Sequence, residues 1–537
     1  MSIKLLVLSA YLGILFLIGV MASKKVKNLS DFYVGGKKLG YWVVAFSARA
    51  TGESGWLLLG LTGMGALLGV KAFWVVAGEV LGVSLCWLLM AKKFKWLSDK
   101  FQSITITDYL LSRFQSSGKT LRLLSATVLT VFITIYVSAQ IDATGVAFES
   151  FFGWNYFLGA IIGFGIVTAY IVFGGFVAVA WSDLFQGIMM LVGLVALPII
   201  GYIGVSKLGN AGSFWEQVSS IDPNLLSIWG IGGFSLMNIL SILGFLMIGA
   251  GFLGSPQIFV RFISVKDETE IRKGTWVAIF FTILTDSAAV LAGITGRVLL
   301  TKPGEGAESI LGTGSQNVLP LMVEALLPPV LVGLYVAIVL SAIMSTIDSL
   351  LVVASSAVTK DICQEGEKSE KTDKELSTLS RRVTLIMAGI ALSLAMIVAV
   401  ASPNRTVFWF VLFGWSGIAA SFCPMIILSL CWRSFTEKGA IASMITGFSS
   451  IVVFSFIVPK LPVIGLYFKE LSELPPSIFL AIVAGIIVSK AYPDNKLEHY
   501  YDNLQLEFKN RLQKITVKDS DATIVAKERV RETISEK

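Results

Sequence analysis

Arg49 and Glu53 stand four residues apart in an otherwise apolar stretch, Tyr41 to Gly69. That is the helical spacing of an ion pair, and charges inside a membrane segment usually face a cavity or a partner. Around them run Ala50-Thr51-Gly52 and Ser54-Gly55-Trp56, with Val43, Val44, Ala45 and Phe46 before and Leu57, Leu58, Leu59 and Leu61 after. Read as one straight helix, the stretch would rise roughly 43 Å against about 30 Å of hydrocarbon. It reads instead as an interrupted helix. Free carbonyls and amides at mid-depth can bind a cation and an anionic group. A kinked helix with an Arg–Glu pair and no ligand is the other reading.

A second set of polar groups lies in Leu340-Ser341-Ala342-Ile343-Met344-Ser345-Thr346-Ile347-Asp348-Ser349. Ser345 follows Ala342 by three residues, so its hydroxyl and the Ala342 carbonyl share one helical face. Backbone carbonyls with hydroxyls suit a monovalent cation. Hydroxyls bonded back to their own preceding turn are the alternative. Ca²⁺ or Mg²⁺ cages want several carboxylates, and no such cluster is present in the sequence.

Other chemistries are excluded one by one. No G-x-x-x-x-G-K-[ST] occurs, so uphill work would draw on an ion gradient. The single histidine, His499, lies beyond the last apolar run, which excludes a histidine-based centre within the membrane. Cys86, Cys363, Cys423 and Cys431 form no close pair, so neither a metal site nor a disulfide framework is expected. No organic cofactor is implied. The net charge of +7 reflects loop placement and is no sign of a nucleic-acid partner.

The elements that must position these groups are membrane helices. The chain is 55% hydrophobic and 15% charged, with a mean hydropathy of +0.77. A soluble domain carries nearer a quarter charged residues. Hydropathy gives thirteen candidate spans, near 4–22, 41–69, 72–91, 123–148, 156–180, 183–204, 233–256, 274–296, 328–357, 383–401, 407–432, 440–458 and 475–491. The first has one preceding lysine, Lys4, and is followed by Lys24-Lys25; it is expected to be a retained span.

Alternate loops carry twenty-four Lys and Arg on one face and eight on the other. The rich face is cytoplasmic by the positive-inside rule. The N-terminus is then outside and the C-terminus inside a cell membrane. Spans two to six and seven to eleven form two groups of five, and an odd number inverts the second group. Each opens on a Gly-interrupted segment, the second being Gly249-Ala250-Gly251-Phe252-Leu253-Gly254-Ser255-Pro256. Paired interrupted segments point to the binding site of a secondary transporter. The expected divisions are 1–40 (an extra helix and basic loop), 41–205 (first repeat), 206–232 (extracellular loop), 233–432 (second repeat), 433–492 (two further helices) and 493–537 (a charged cytoplasmic tail).

The sequence resembles the sodium/solute symporters, and most closely the bacterial sodium/proline symporters. The resemblance rests on Asp31-Phe32-Tyr33-Val34-Gly35-Gly36-Lys37-Lys38-Leu39-Gly40, Ser54-Gly55-Trp56-Leu57-Leu58 and Phe132-Ile133-Thr134-Ile135-Tyr136. It continues through Gly174-Gly175-Phe176-Val177-Ala178-Val179-Ala180-Trp181-Ser182-Asp183, Met344-Ser345-Thr346, Ser355-Ser356-Ala357-Val358-Thr359-Lys360-Asp361 and Trp415-Ser416-Gly417. It covers nearly all of residues 1–492.

The resemblance implies an all-α membrane protein with an inverted five-plus-five core of the leucine-transporter type, working by alternating access. It implies a sodium site made by backbone oxygens of Ala50, Glu53 and Ala342 and the hydroxyls of Ser345 and Thr346. The substrate would lie beside it, lined by Ser54, Trp56, Tyr136, Phe252 and Pro256. Asp183 matches a family aspartate tied to sodium coupling; an ordinary interfacial acid or helix cap is its other reading. The implied partners are sodium, a small solute with proline first, and the lipid bilayer.

The departures from the family pattern fall at that site. Gly52 stands where the proline symporters carry an aspartate, and the carboxylate here is Glu53. Arg49 replaces a small residue, Ile248 a tryptophan and Phe252 a tyrosine. Glu79 could pair with Arg49, face a polar cavity or sit near an interface. A symporter for another small amino acid or organic acid stays open, as do a sodium-conducting channel and a membrane sensor on the same fold.

Overall fold

Within hydrocarbon every backbone polar group must be satisfied inside its own segment, and long apolar runs do this as helices. The computed structural model describes residues 3–26, 28–116, 118–207, 212–364, 372–511 and 513. Most of the expected tail, 512 and 514–537, therefore lies outside the described residues, as do residues 1–2, Lys27, Ser117, 208–211 and 365–371. Among the described residues the backbone is helical almost throughout, and the single extended contact is a bridge between Leu39 and Val265. That bridge joins the loop before the first interrupted helix to the loop after the second, through Leu39 N–H to Ser264 O and Lys266 N–H to Leu39 O.

Eleven helices among the described residues are long and apolar enough to cross a membrane, against the thirteen counted from hydropathy. The difference has two sources. Tyr41–Lys100 is one of the eleven yet holds 60 residues, about 90 Å if straight, and it is interrupted at Gly69, where φ is +59°. The helix Tyr156–Ser206 is interrupted at Gly175, with φ +54°. Its second part qualifies as a span, and its first part is described as the shorter apolar helix Tyr156–Thr168.

Burial separates the core from the lipid-facing shell. Every residue from Tyr335 to Ser356 in the helix Pro329–Ser356 is buried. So is every residue from Val44 to Leu61. By contrast Ile3–Ser23 buries only Leu8, Tyr11, Leu15, Gly19 and Ala22, one stripe at helical spacing, and exposes Leu6, Phe16 and Leu17 on the other side. That stripe packs on Tyr156–Ser206 and Pro329–Ser356.

Two glycines bring the third span against the second interrupted helix. Gly78 and Gly82 are four apart on Phe73–Leu85. A Cβ on Gly82 would lie 1.9 Å from the Gly249 carbonyl oxygen, and one on Gly78 2.3 Å from that of Leu246. Small residues at this spacing let helix backbones touch. Glu79 is thereby held beside the Gly249 break.

Candidate functional site

The first interruption is a local event. Tyr41–Gly55 is α-helical except at Ser54 (φ +41°, ψ −172°), and Trp56–Leu61 continues as a wider π-helix. The break frees backbone groups, and Gln140 takes up part of the slack. Its side-chain oxygen accepts the Gly55 N–H at 3.1 Å and its amide donates to Ser54 Oγ at 3.3 Å. The Trp56 N–H donates to the Glu53 carbonyl. The second interruption runs from the α-helix Leu236–Ile248 through the 3₁₀ turn Gly249–Leu253 to Pro256–Ser264. Proline suits the first position of the new helix because that position needs no N–H donor.

At the first break the hydroxyls of the Pro329–Ser356 helix meet the carbonyls of the broken helix. Ser345 Oγ donates to Ala50 O at 3.0 Å and to Ala342 O at 3.1 Å. Thr346 Oγ1 donates to Thr51 O at 2.9 Å and to Ala342 O at 3.2 Å. Ala50, Ala342, Ser345 and Thr346 are thus brought together, all buried. The Glu53 carbonyl is turned to Trp56, and the Thr51 carbonyl, absent from the expected set, faces Thr346 instead. Three carbonyls and two hydroxyls form a set of neutral oxygens that fits a monovalent cation.

Beside this set lies a buried cationic hub. Arg261 Nη2 donates to Asp183 Oδ2 at 3.0 Å, to Thr51 Oγ1 at 2.7 Å and to Ser349 Oγ. Its Nε donates to Ser47 Oγ at 3.1 Å and its Nη1 to the Gln257 carbonyl at 2.6 Å. Ser47 Oγ donates to Asp183 Oδ2 at 2.5 Å. Asp183 thus belongs to the interior and is no helix cap at the surface. Arg261 and Ser349 were not among the expected residues. Ser349 lies four after Ser345 on one helical face, a signal available in the sequence. Arg261 stands alone in the apolar run Ile258 to Ile263.

On the other side of the break Arg49 pairs with Glu53, as their spacing suggested, and Arg49 Nη2 lies 3.5 Å from Glu79 Oε2. The Phe252 ring covers the guanidinium at 4.6 Å. Asp286, from Glu268–Leu300, lies beside Glu53 and accepts from Thr285 Oγ1 at 3.1 Å. One arginine therefore stands among three buried carboxylates.

A small pocket, about 280 Å³ counting its opening to solvent, lies next to this cluster. Gly52, Trp56 and Glu79 line one part, and Tyr136, Phe408 and Trp415 another. Ile248, Val411 and Leu412 complete it. Trp56 and Tyr136 were expected here. Ser54 sits behind them, beside the Tyr136 hydroxyl, which has no partner at full hydrogen-bond geometry among the described residues. Phe252 backs the pocket, its ring 5.0 Å from that of Trp415. Pro256 starts its helix away from the lining. A Cβ on Gly52 would lie 2.8 Å from Phe252 Cε1, so position 52 has no room for a side chain as Phe252 stands.

A family model described as the sodium:solute symporter family matches residues 32–447. The high-affinity proline transporter PutP of Bacillus subtilis (strain 168) is 36% identical over 442 residues, covering 82% of this chain and 90% of that protein. The osmoregulated proline transporter OpuE of the same organism is 33% identical over 491 residues, covering 91% and 95%. In fold, the chain is similar to the substrate-bound outward-open structure of a Na⁺-coupled sialic acid symporter. The TM-score is 0.75 at 17% identity, with 92% of this chain and 99% of that one covered.

Proposed function

Because the chain belongs to the sodium:solute symporter family, a family of transporters rather than enzymes, we propose that it couples sodium entry to the import of L-proline. The observation that carries the coupling is the meeting of the Ser345 and Thr346 hydroxyls with the carbonyls of Ala50 and Thr51 at the break. Sodium is co-transported cargo. Its ligands are drawn from those carbonyls and hydroxyls with that of Ala342, and the Glu53 backbone oxygen joins them only if the Trp56 amide lets it go. Sodium held there orders the broken helix and raises substrate affinity, and the substrate raises sodium affinity by the same factor.

Proline as the substrate is supported by the printed activities of the two Bacillus relatives and by the pocket chemistry. The Tyr136 hydroxyl has hydrogen-bonding capacity to spare for a carboxylate, and Trp56, Phe408 and Trp415 cover an apolar ring. A sugar would bury several hydroxyls among these side chains, at about 1–3 kcal/mol for each left unpaired. Asp183 acts in coupling through Arg261, which bonds the Thr51 hydroxyl at the sodium ligands. The two five-helix groups, 41–205 and 233–432, move against each other in a cell membrane, with the N-terminus outside.

The test is uptake of labelled proline, a dicarboxylate and a sugar into proteoliposomes, with and without an inward sodium gradient. Proline accumulation that collapses without sodium is the expected result. Entry of only the dicarboxylate or the sugar would remove proline while leaving the family intact.

A further inference from the structure

The pocket's lining has one acidic side chain and no basic one. Glu79 lines it, whereas Arg49 does not. Arg49 is held behind by Glu53, by Glu79 at 3.5 Å and by the Phe252 ring. Asp286 lies against Glu53 in the same cluster, so three buried carboxyl groups share one arginine. A desolvated carboxylate lacking a full counter-charge is costly in the membrane interior, and a cationic ligand group relieves that cost.

The rest of the lining favours the same ligand group. The Trp56 indole N–H donates to Gly52 O at 3.0 Å and that of Trp415 to Ile248 O at 3.0 Å. Both indoles are thereby committed and offer the pocket no donor, only ring surface. The rings of Trp56 and Phe408 meet edge to face, as do those of Tyr136 and Trp415. Aromatic walls attract a positive nitrogen through the ring quadrupole and cover its alkyl substituents. The Tyr136 hydroxyl, buried beside Ser54 and with no partner at full hydrogen-bond geometry among the described residues, is the remaining polar group.

We propose that Glu79 is a specificity-determining residue that receives the positively charged nitrogen of the substrate, with the aromatic walls around it. The inference rests on the proline reading above and deepens it. The site selects zwitterions whose charged nitrogen is embedded in carbon, and it rejects ring analogues without the charge. The contact of Gly78 and Gly82 with the second break fixes the position of Glu79.

The test compares L-proline with tetrahydrofuran-2-carboxylate, which keeps the ring and the carboxylate and replaces the charged nitrogen by an uncharged oxygen. Each is titrated as a competitor of sodium-driven proline uptake and as a thermal stabiliser of the purified protein in sodium. The unaltered protein should favour proline by at least about tenfold, the scale of one charge-assisted hydrogen bond. Glu79→Gln should shrink that ratio about tenfold, and Glu79→Asp should retain most of it. An equal response to both compounds in the unaltered protein overturns the inference, as does an unchanged ratio in Glu79→Gln. Should Glu79→Gln fail to fold, the unaltered protein and Glu79→Asp still decide. A protein that transports no proline, yet is stabilised by it and not by the oxygen analogue, loses the substrate reading, and it keeps the role of Glu79 where Glu79→Gln abolishes that difference. Stabilisation by neither compound overturns both.

Discussion

The Thr346 hydroxyl donates to the carbonyl of Thr51, 295 residues away in sequence and 2.9 Å away in space. With Ser345 on Ala50 it ties the unbroken central helix to the interrupted one at the point where backbone oxygens come free.

Replacing Ser345 and Thr346 together by Ala removes two of five neutral oxygens from this set. Sodium binding should weaken, and the sodium concentration for half-maximal proline uptake should rise about tenfold or more, on the scale of about 1–3 kcal/mol for a lost buried polar contact. A sodium titration of initial rates in proteoliposomes measures this, with surface expression as the control. An unchanged titration curve would take both residues out of the site.

Arg49 and Glu53 form a fully buried pair at i,i+4. Glu53→Gln removes the closest partner of Arg49, leaving Glu79 at 3.5 Å and Asp286 nearby, and should destabilise the fold by about 3–5 kcal/mol, the usual cost of breaking a buried pair. The double replacement Arg49→Gly with Glu53→Met should be milder than the sum of its single changes by more than about 1 kcal/mol. Thermal unfolding of the four proteins in detergent closes this cycle. Additive effects would mean that the pair does not interact.

Gly52 is bounded by Phe252, and Phe252 is itself packed against Trp415 and Arg49. The ring has little freedom to withdraw. Gly52→Ala should cost about 1–3 kcal/mol through overpacking, and adding Phe252→Leu should recover part of it. Melting temperatures of the single and double variants test the contact. A fully stable Gly52→Ala protein would show that the ring moves aside freely.

Arg261 and Asp183 are both fully buried. Removing either charge alone should be strongly destabilising, by about 3–5 kcal/mol. The pair Asp183→Asn with Arg261→Gln should keep more folded protein than Arg261→Gln alone. Size-exclusion yield of fluorescent fusions reads this directly, and an equal yield from the single and double variants would argue against the pair.

Cys431 is exposed at the end of Val407–Cys431, while Cys86 and Cys423 are buried. With the Lys- and Arg-rich loops inside, a membrane-impermeant maleimide should label Cys431 in inside-out vesicles and leave it untouched in right-side-out ones. Labelling from the outside would reverse the orientation.

Features that depend on one turn of one helix were legible in the sequence. The Arg49–Glu53 pair follows from a four-residue spacing. The interruption near Gly52 to Gly55 follows from length and composition, and the Ser345 bond to Ala342 from helical geometry. The motifs spread from Asp31 to Gly417 were enough to suggest the family. Contacts between helices were not legible. They depend on how far each helix is rotated and how closely two backbones approach, and no local spacing encodes either. The Thr51 carbonyl rather than that of Glu53 faces Thr346 because the break turns at Ser54. Arg261 reaches Asp183 across 78 positions of chain. Glu79 lines the pocket because Gly78 and Gly82 allow its helix to touch the Gly249 turn. Sequence alone thus determined that a broken membrane helix carries a charge pair and a set of oxygens. Only the tertiary structure decided which carboxylate faces the pocket, because that is settled by the packing of glycines on one helix against the carbonyls of another.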